Sequence, residues 1–78
     1  MVITKKIKPE YFKAVAEGKK KFELRKDEDN IQVGDIVTLC EWTEEGGYTG
    51  KVTQRLVYYV LRDVPEYGLM DGYCIIGF

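Results

Sequence analysis

Apolar and polar residues alternate over several short stretches of this 78-residue chain, a pattern typical of β-strands with one buried face. The strictest alternation lies at residues 21–25, where Phe22 and Leu24 share one face of the predicted strand and three charged residues share the other. Since apolar side chains favour the core, we expect Phe22 and Leu24 to be buried. Segments rich in apolar, β-branched and aromatic residues predict four more strands, at residues 2–7, 36–42, 49–61 and 73–78.

Residues 9–17 have helical spacing instead. Pro9 suits the first turn of a helix, where its missing N–H costs nothing, and Gly18 is a natural left-handed terminator. Within this helix, Phe12 and Val15 fall on one side. We expect that side to pack against the apolar residues of neighbouring strands, namely Phe22, Leu24, Val37 and Leu39.

The resulting order of elements is β-α-β-β-β-β, without a linker or repeat that would divide the chain. It predicts a single α+β domain covering residues 1–78. Long strands that are apolar on both faces in places favour a small, partly closed β-barrel of about five strands, with one helix after the first strand. An open sheet with the helix across one face is the competing architecture.

The composition excludes several kinds of chemistry. The chain has no histidine and only two cysteines, so His-based triads, His-ligated metals and Cys-rich zinc sites are excluded, and we predict neither metal nor cofactor. The longest apolar run, residues 56–61, is six residues long. A bilayer requires about 20, so no membrane partner is predicted. Because the N-terminus lacks the apolar stretch of a secretory signal, we expect a cytoplasmic location.

Charge is distributed unevenly along the chain. Residues 5–26 carry nine basic and three acidic side chains, a local net charge of +6, although the whole chain has a net charge of −1. Residues 31–78 carry three basic and seven acidic side chains, a net charge of −4. Such polarity can steer an anionic partner to one face of a protein. The alternative interpretation is that these charges serve solubility alone.

Five segments, taken together, resemble the motifs of a known family. They are PEYF at 9–12, GKKKFELRK at 18–26, VGD at 33–35, YTGK at 48–51 and GLMDGY at 68–73. In this order they resemble a family of short ASCH-like proteins of unknown function from bacteria and phages, within the PUA-like superfamily. The resemblance implies a PUA-like β-barrel in which the Gly-x-Lys-x-x-Glu-x-Arg segment lines a cleft, and an association with RNA or modified nucleotides. Two positions depart from the family pattern: Ile3 replaces a frequent histidine, and Lys51 replaces an arginine.

The same segment is the best candidate site on physical grounds. Glu23 and Arg25 lie two residues apart on one strand face, about 7 Å along the strand, so their charged groups can meet. A guanidinium oriented by Glu23 would keep N–H donors for a phosphate or a base edge, and Lys20 would add a point charge. The alternative is a solvated strand face with a weak surface ion pair.

Tyrosines beside glycines in the motifs are candidate stacking platforms for bases, although core packing is the alternative role for each. Trp42 is expected in the core or at the barrel rim. The predicted ligand-binding set is Lys19, Lys20, Glu23, Arg25, Lys51, Tyr48 and Tyr73.

Three functions are compatible with these residues. The first is a non-catalytic module that binds RNA, a nucleotide or a modified nucleoside in a basic cleft. The second is a small amidohydrolase acting on an acylated cytidine, with Lys20 and Glu23 as the reacting pair; the resemblance implies it, because some small ASCH proteins hydrolyse acetylated cytidine. The third is a phage-type protein-interaction module that uses strand edges or acidic loops. The sequence favours binding over catalysis, since the position of the family's threonine holds Glu23.

Overall fold

The computed structural model describes all 78 residues, which form six strands and one α-helix. The strands are β1 (Val2–Ile7), β2 (Phe22–Lys26), β3 (Ile36–Thr43), β4 (Gly47–Leu56), β5 (Tyr59–Leu61) and β6 (Tyr73–Gly77). The helix, α1, is Pro9–Ala16, and a short 3-10 helix occupies Pro65–Tyr67. No helix is both long and apolar enough to cross a membrane.

The strands belong to two three-stranded sheets, with the orders β1-β3-β4 and β2-β6-β5. All neighbouring pairs are antiparallel except β1 and β3, which are parallel. A parallel pair needs a long crossover connection, and here α1 and β2 lie in that connection. The predicted α+β composition is therefore confirmed as mostly strands in two sheets with one helix. The strands do not form a closed barrel.

The prediction of a single strand at residues 49–61 is wrong, because the chain leaves the first sheet at Val57. That residue is fully buried, and its backbone pairs with the turn before β3: Gly34 N–H donates to Val57 O at 2.9 Å, and Val57 N–H donates to Asp35 O at 2.9 Å. The next N–H, of Tyr58, donates to Gly77 O in the second sheet at 2.8 Å. This crossing divides the predicted strand into β4 and β5.

The core lies between the sheets and α1. As predicted, Phe12 and Val15 of the helix pack with Val37 and Leu39 of β3 in one buried cluster. The cluster's other members are Ile3, Ile7, Ile31, Val57, Cys74 and Ile76. Arg55 of β4 secures the end of the helix, since its Nη2 donates at 3.0 Å to Val15 O, which also accepts a hydrogen bond from Gly18 N–H at 3.0 Å.

The orientation predicted for β2 is wrong. Glu23 is 5% exposed, whereas Phe22 and Leu24 are 49% and 56% exposed, so the apolar face of the strand points outward. The reason is the pairing with β6, in which Glu23 lies opposite buried Ile76 and Arg25 lies opposite buried Cys74. Alternation identifies the residues that share a face, but only the partner strand decides which face is inside.

An ion pair between Asp27 and Arg62 ties the loop after β2 to the residue after β5. Arg62 donates to both carboxylate oxygens of Asp27, at 2.7 and 3.2 Å, and its Nη2 also donates to Ile31 O at 2.8 Å. The hydrogen bonds to Asp27 raise the pKa of the Arg62 guanidinium. Beneath this contact, burial raises the pKa of the Cys74 thiol, which keeps it in the neutral, unreactive form.

The inverted β2 strand yields a test with two phenylalanines. Phe12 is 8% exposed in the core, so Phe12→Ala should lower the free energy of unfolding by about 3–5 kcal/mol. The matched control Phe22→Ala removes the same atoms from the outer face and should cost much less. Urea unfolding followed by circular dichroism measures both. Equal losses for the two variants would show that β2 does not turn its apolar face outward.

Candidate functional site

A cleft of about 310 Å³ lies where the two sheets approach each other beside the start of α1. We call it the β1–β2 cleft, because the end of β1 and the middle of β2 form two of its walls. The remaining walls come from the first turn of α1 and from the tryptophan of β3. Its lining residues are Lys6, Ile7, Lys8, Tyr11, Glu23, Leu24, Arg25 and Trp42.

Glu23 is the most buried charged residue of this cleft, with a side chain only 6% exposed. Each of its carboxylate oxygens faces a cation: Lys20 Nζ contacts Oε1, and Arg25 Nε lies 3.0 Å from Oε2. Burying a carboxylate is costly unless it is paired, and here two cations offset that cost. The interpretation of this strand face as solvated is therefore wrong, and the cluster of three keeps one net positive charge.

Arg25 connects the two sheets. Its Nη2 donates to Lys6 O on β1 at 2.7 Å, so the guanidinium spans from β2 to the edge of the other sheet. Its Nε is buried, and the approach to Glu23 is close but not aligned as a hydrogen bond. Nη1 has no acceptor within the chain. The Arg25 guanidinium therefore retains donors for a ligand in the cleft.

The end of α1 positions Lys20. Gly18 adopts a φ of +77°, a left-handed conformation that suits glycine, and the chain reverses there. Lys20 N–H then donates to Ala14 O at 3.0 Å, which holds the turn against the helix. From this position Lys20 Nζ lies 5.0 Å from the ring centre of Tyr11 and 5.2 Å from that of Phe22, within the range of cation–π attraction.

Trp42 forms the aromatic edge of the cleft. A shift of register between Cys40 and Trp42 interrupts the pairing of β3 with β4, while buried and less buried residues continue to alternate along β3 up to Trp42. Within this irregularity Glu41 is buried and accepts a hydrogen bond from Thr49 Oγ1 at 2.8 Å. Lys6 Nζ lies 4.2 Å from the centre of the Trp42 ring. An indole and an ammonium group are therefore presented together at the mouth of the cleft.

The structure brings together three of the predicted site residues, Lys20, Glu23 and Arg25. Tyr48 is exposed on β4 opposite Trp42 and does not line the cleft. The other three lie elsewhere: Lys19 is exposed and pairs with Glu17 at 3.2 Å, Lys51 is exposed on β4, and Tyr73 lines a separate cavity with Leu24.

Sequence reasoning missed six of the eight lining residues, of which four are charged or aromatic: Lys6, Lys8, Tyr11 and Trp42. Two of them, Lys6 and Lys8, belong to the basic segment 5–26, and their spacing around buried Ile7 was an available signal. For Trp42 no local signal existed, because its place in the cleft depends on the parallel pairing of β1 with β3.

Comparison with known proteins identifies the family. Residues 4–78 match the family described as "Domain of unknown function (DUF3850)", so the chain belongs to this family. The chain is also similar to the "Uncharacterized 12.9 kDa protein in GpA 3'region" of Escherichia phage P2, with 44% identity over 52 residues. That match covers 67% of this chain and 47% of the phage protein, so the chain spans about half the length of this relative. The resemblance to a phage-related family of unknown function is thereby confirmed.

The buried cluster predicts a loss of stability that a surface ion pair would not give. Glu23→Ala leaves Lys20 and Arg25 without their anion, and should lower the free energy of unfolding by about 3 kcal/mol, as expected for a partly buried pair. The control Glu17→Ala removes a carboxylate that pairs with exposed Lys19, and should change stability by less than about 1 kcal/mol. Denaturant titration compares the two. A Glu23 variant as stable as the Glu17 variant would contradict the burial of this charge.

Proposed function

We propose that this chain is a non-catalytic binding module that takes a nucleotide, free or within single-stranded RNA, in the β1–β2 cleft. One observation carries the proposal: cationic groups and aromatic rings line the same cleft. Lys6, Lys8 and Arg25 supply the positive charge, and Tyr11 and Trp42 supply the rings. A nucleotide combines an anionic phosphate with a flat base, and both of its parts match this lining.

The phosphate would bind the cationic side of the cleft. Arg25 Nη1 offers N–H donors without an acceptor in the chain, and guanidinium groups bind phosphate oxygens with directional, charge-assisted hydrogen bonds. Lys6 and Lys8 add point charges that need no fixed geometry. With Glu23 included, the lining has three cations and one anion, which leaves it positive. Attraction of a polyanion follows from this balance.

The base would stack on an aromatic ring. Stacking of a base on an aromatic side chain contributes roughly 1–3 kcal/mol and tolerates different sequences, because every base has a π-face. Ile7 and Leu24 add apolar contact beside Tyr11 and Trp42. The volume of about 310 Å³ fits a small ligand or one unit of a chain, since binding pockets range from about 300 to 1,000 Å³.

The proposal includes membership of the ASCH-like, PUA-like group. In support, the Gly-x-Lys-x-x-Glu-x-Arg segment that the resemblance places at a cleft contributes Glu23 and Arg25 to the lining. The chain also runs from β4 to β5 through residues 57–58, and Arg25 bridges to Lys6 across the outer strands β1 and β2. A partly closed barrel in the order β1-β3-β4, then β5-β6-β2, accounts for both features.

Hydrolysis of an acylated cytidine is the second candidate, and the contact between Lys20 and Glu23 favours it. A lysine beside a carboxylate is a possible acid–base pair. Both oxygens of Glu23 face a cation, however, so one cation would have to move before this carboxylate accepted a proton. The geometry thus supports binding more directly than catalysis.

The proposed function predicts a difference between two lysines of equal charge. Lys8 lines the cleft, whereas Lys51 is exposed on β4 outside it. Lys8→Ala should weaken binding of an eight-nucleotide RNA severalfold. It should also make the slope of log K against log salt concentration shallower, by the amount that about one phosphate contact contributes. Lys51→Ala, with the same loss of charge, should bind almost like the parent. Fluorescence anisotropy of labelled RNA at several salt concentrations measures both.

Other outcomes of that experiment separate the remaining functions. Equal binding by the two variants, or affinity indifferent to salt, would contradict the proposed cleft. Absence of RNA binding would instead favour a protein-interaction module, for which the outward Phe22 and Leu24 offer an apolar surface. In a separate assay with acetylated cytidine, release of acetate by the parent that is lost in Glu23→Gln would establish the hydrolase.

A further inference from the structure

A second cavity of about 280 Å³ adjoins the β1–β2 cleft. It is lined by Lys8, Pro9, Trp42, Thr43, Glu44 and Glu45. Lys8 and Trp42 line both cavities, whereas Lys6 and Arg25 line the first one alone. The two cavities therefore share one lysine and one tryptophan in their linings.

The β3–β4 turn presents the acidic pair of the second cavity. Thr43 Oγ1 accepts a hydrogen bond from Gly46 N–H at 2.9 Å, which fixes the turn between Thr43 and Gly46. Glu44 and Glu45 occupy this turn and are both exposed. They make no ion pair within the chain, so their carboxylates are free to accept hydrogen bonds from a ligand.

The two cavities differ in charge but each offers a surface for a base. The first has cations together with the apolar surfaces of Ile7, Tyr11 and Leu24. The second is acidic, and its apolar surfaces are Pro9 and Trp42. A phosphate is repelled by the acidic turn and attracted by the shared lysine. A base with an exocyclic amino group is favoured at the turn, because carboxylates accept hydrogen bonds from amino groups such as cytosine N4.

We infer that the two cavities are consecutive nucleotide subsites, so that the ligand is a single strand of at least two nucleotides. Lys8 faces the phosphate that joins them, Trp42 stacks on a base, and Glu44 and Glu45 select a base that carries an amino group. This inference rests on the proposed function and specifies its ligand. It goes beyond that function because a mononucleotide would fill the first cavity alone.

Trp42 is the only tryptophan of the chain, so its fluorescence reports directly on both subsites. Three probes separate the effect of a second base from the effect of an amino group on the base: CMP, the dinucleotide CpC and the dinucleotide UpU. CpC should bind about tenfold more tightly than CMP, since it adds one stacked base, even though CMP carries more negative charge. CpC should also bind more tightly than UpU, which presents a carbonyl where cytosine presents the amino group.

Two double variants, each of which removes two negative charges, test the role of the β3–β4 turn. The double variant Glu44→Gln, Glu45→Gln should lose the preference for CpC over UpU. The matched control Glu66→Gln, Asp71→Asn removes two exposed charges elsewhere and should keep it. A preference for CpC that survives in the Glu44, Glu45 variant would overturn the selective role of these carboxylates.

The probes also distinguish this inference from the function on which it rests. Equal affinities for CMP and CpC would overturn the second subsite while leaving nucleotide binding in the first cavity intact. Failure of CMP, both dinucleotides and the eight-nucleotide RNA to bind would overturn the proposed function itself, and the inference with it.

Discussion

The contact of one buried carboxylate with two cations organises this small protein. Glu23 lies on the inward face of β2, and its charge can be buried there only because Lys20 and Arg25 contact its two oxygens. Lys20 reaches it from the turn after α1, and Arg25 continues to a backbone carbonyl of β1. The helix end, the second sheet and the edge of the first sheet thus meet at a single charge.

Burying the Glu23 carboxylate costs free energy of desolvation, which an apolar residue at this position would not. An apolar residue at position 23 would bury surface without needing partners, and the outward Phe22 and Leu24 show that β2 has apolar side chains to offer. The fold instead exposes them and buries the charges. Departures of this kind, where a local rule of folding is broken, concentrate at functional sites. The inverted strand is therefore a physical reason, separate from any resemblance, to place the site beside Glu23.

Much of the fold follows from local pattern, and the rest depends on contacts between distant residues. The helix from Pro9 and most strands have clear periodicity, so the sequence predicts their positions well. The strand predicted at 49–61 fails because backbone pairing with Gly34 and Asp35 draws Val57 out of it, and the sequence of that strand carries no sign of this. For β2, alternation predicts correctly that Glu23 and Arg25 share a face but cannot reveal which face is inside.

The candidate site divides in the same way. Lys20, Glu23 and Arg25 all lie within the segment GKKKFELRK at 18–26, so the sequence can predict them together. Lys8, the residue after β1, and Trp42 of β3 complete the cleft although they are more than thirty residues apart, and the parallel pairing of β1 with β3 brings them near each other. Tertiary pairing of this kind has no signature in a single sequence.

Chemical-shift mapping tests most directly the claim that the β1–β2 cleft binds nucleotides. Short single-stranded RNA would be added to ¹⁵N-labelled protein, and backbone amides and the Trp42 indole N–H would be followed. The account predicts saturable shifts concentrated at residues 6–11, 20–25 and 42, with the outer face of β5 and β6 unchanged. Shifts confined to that outer face, around Tyr59 and Ile75, or no shifts at all, would contradict it.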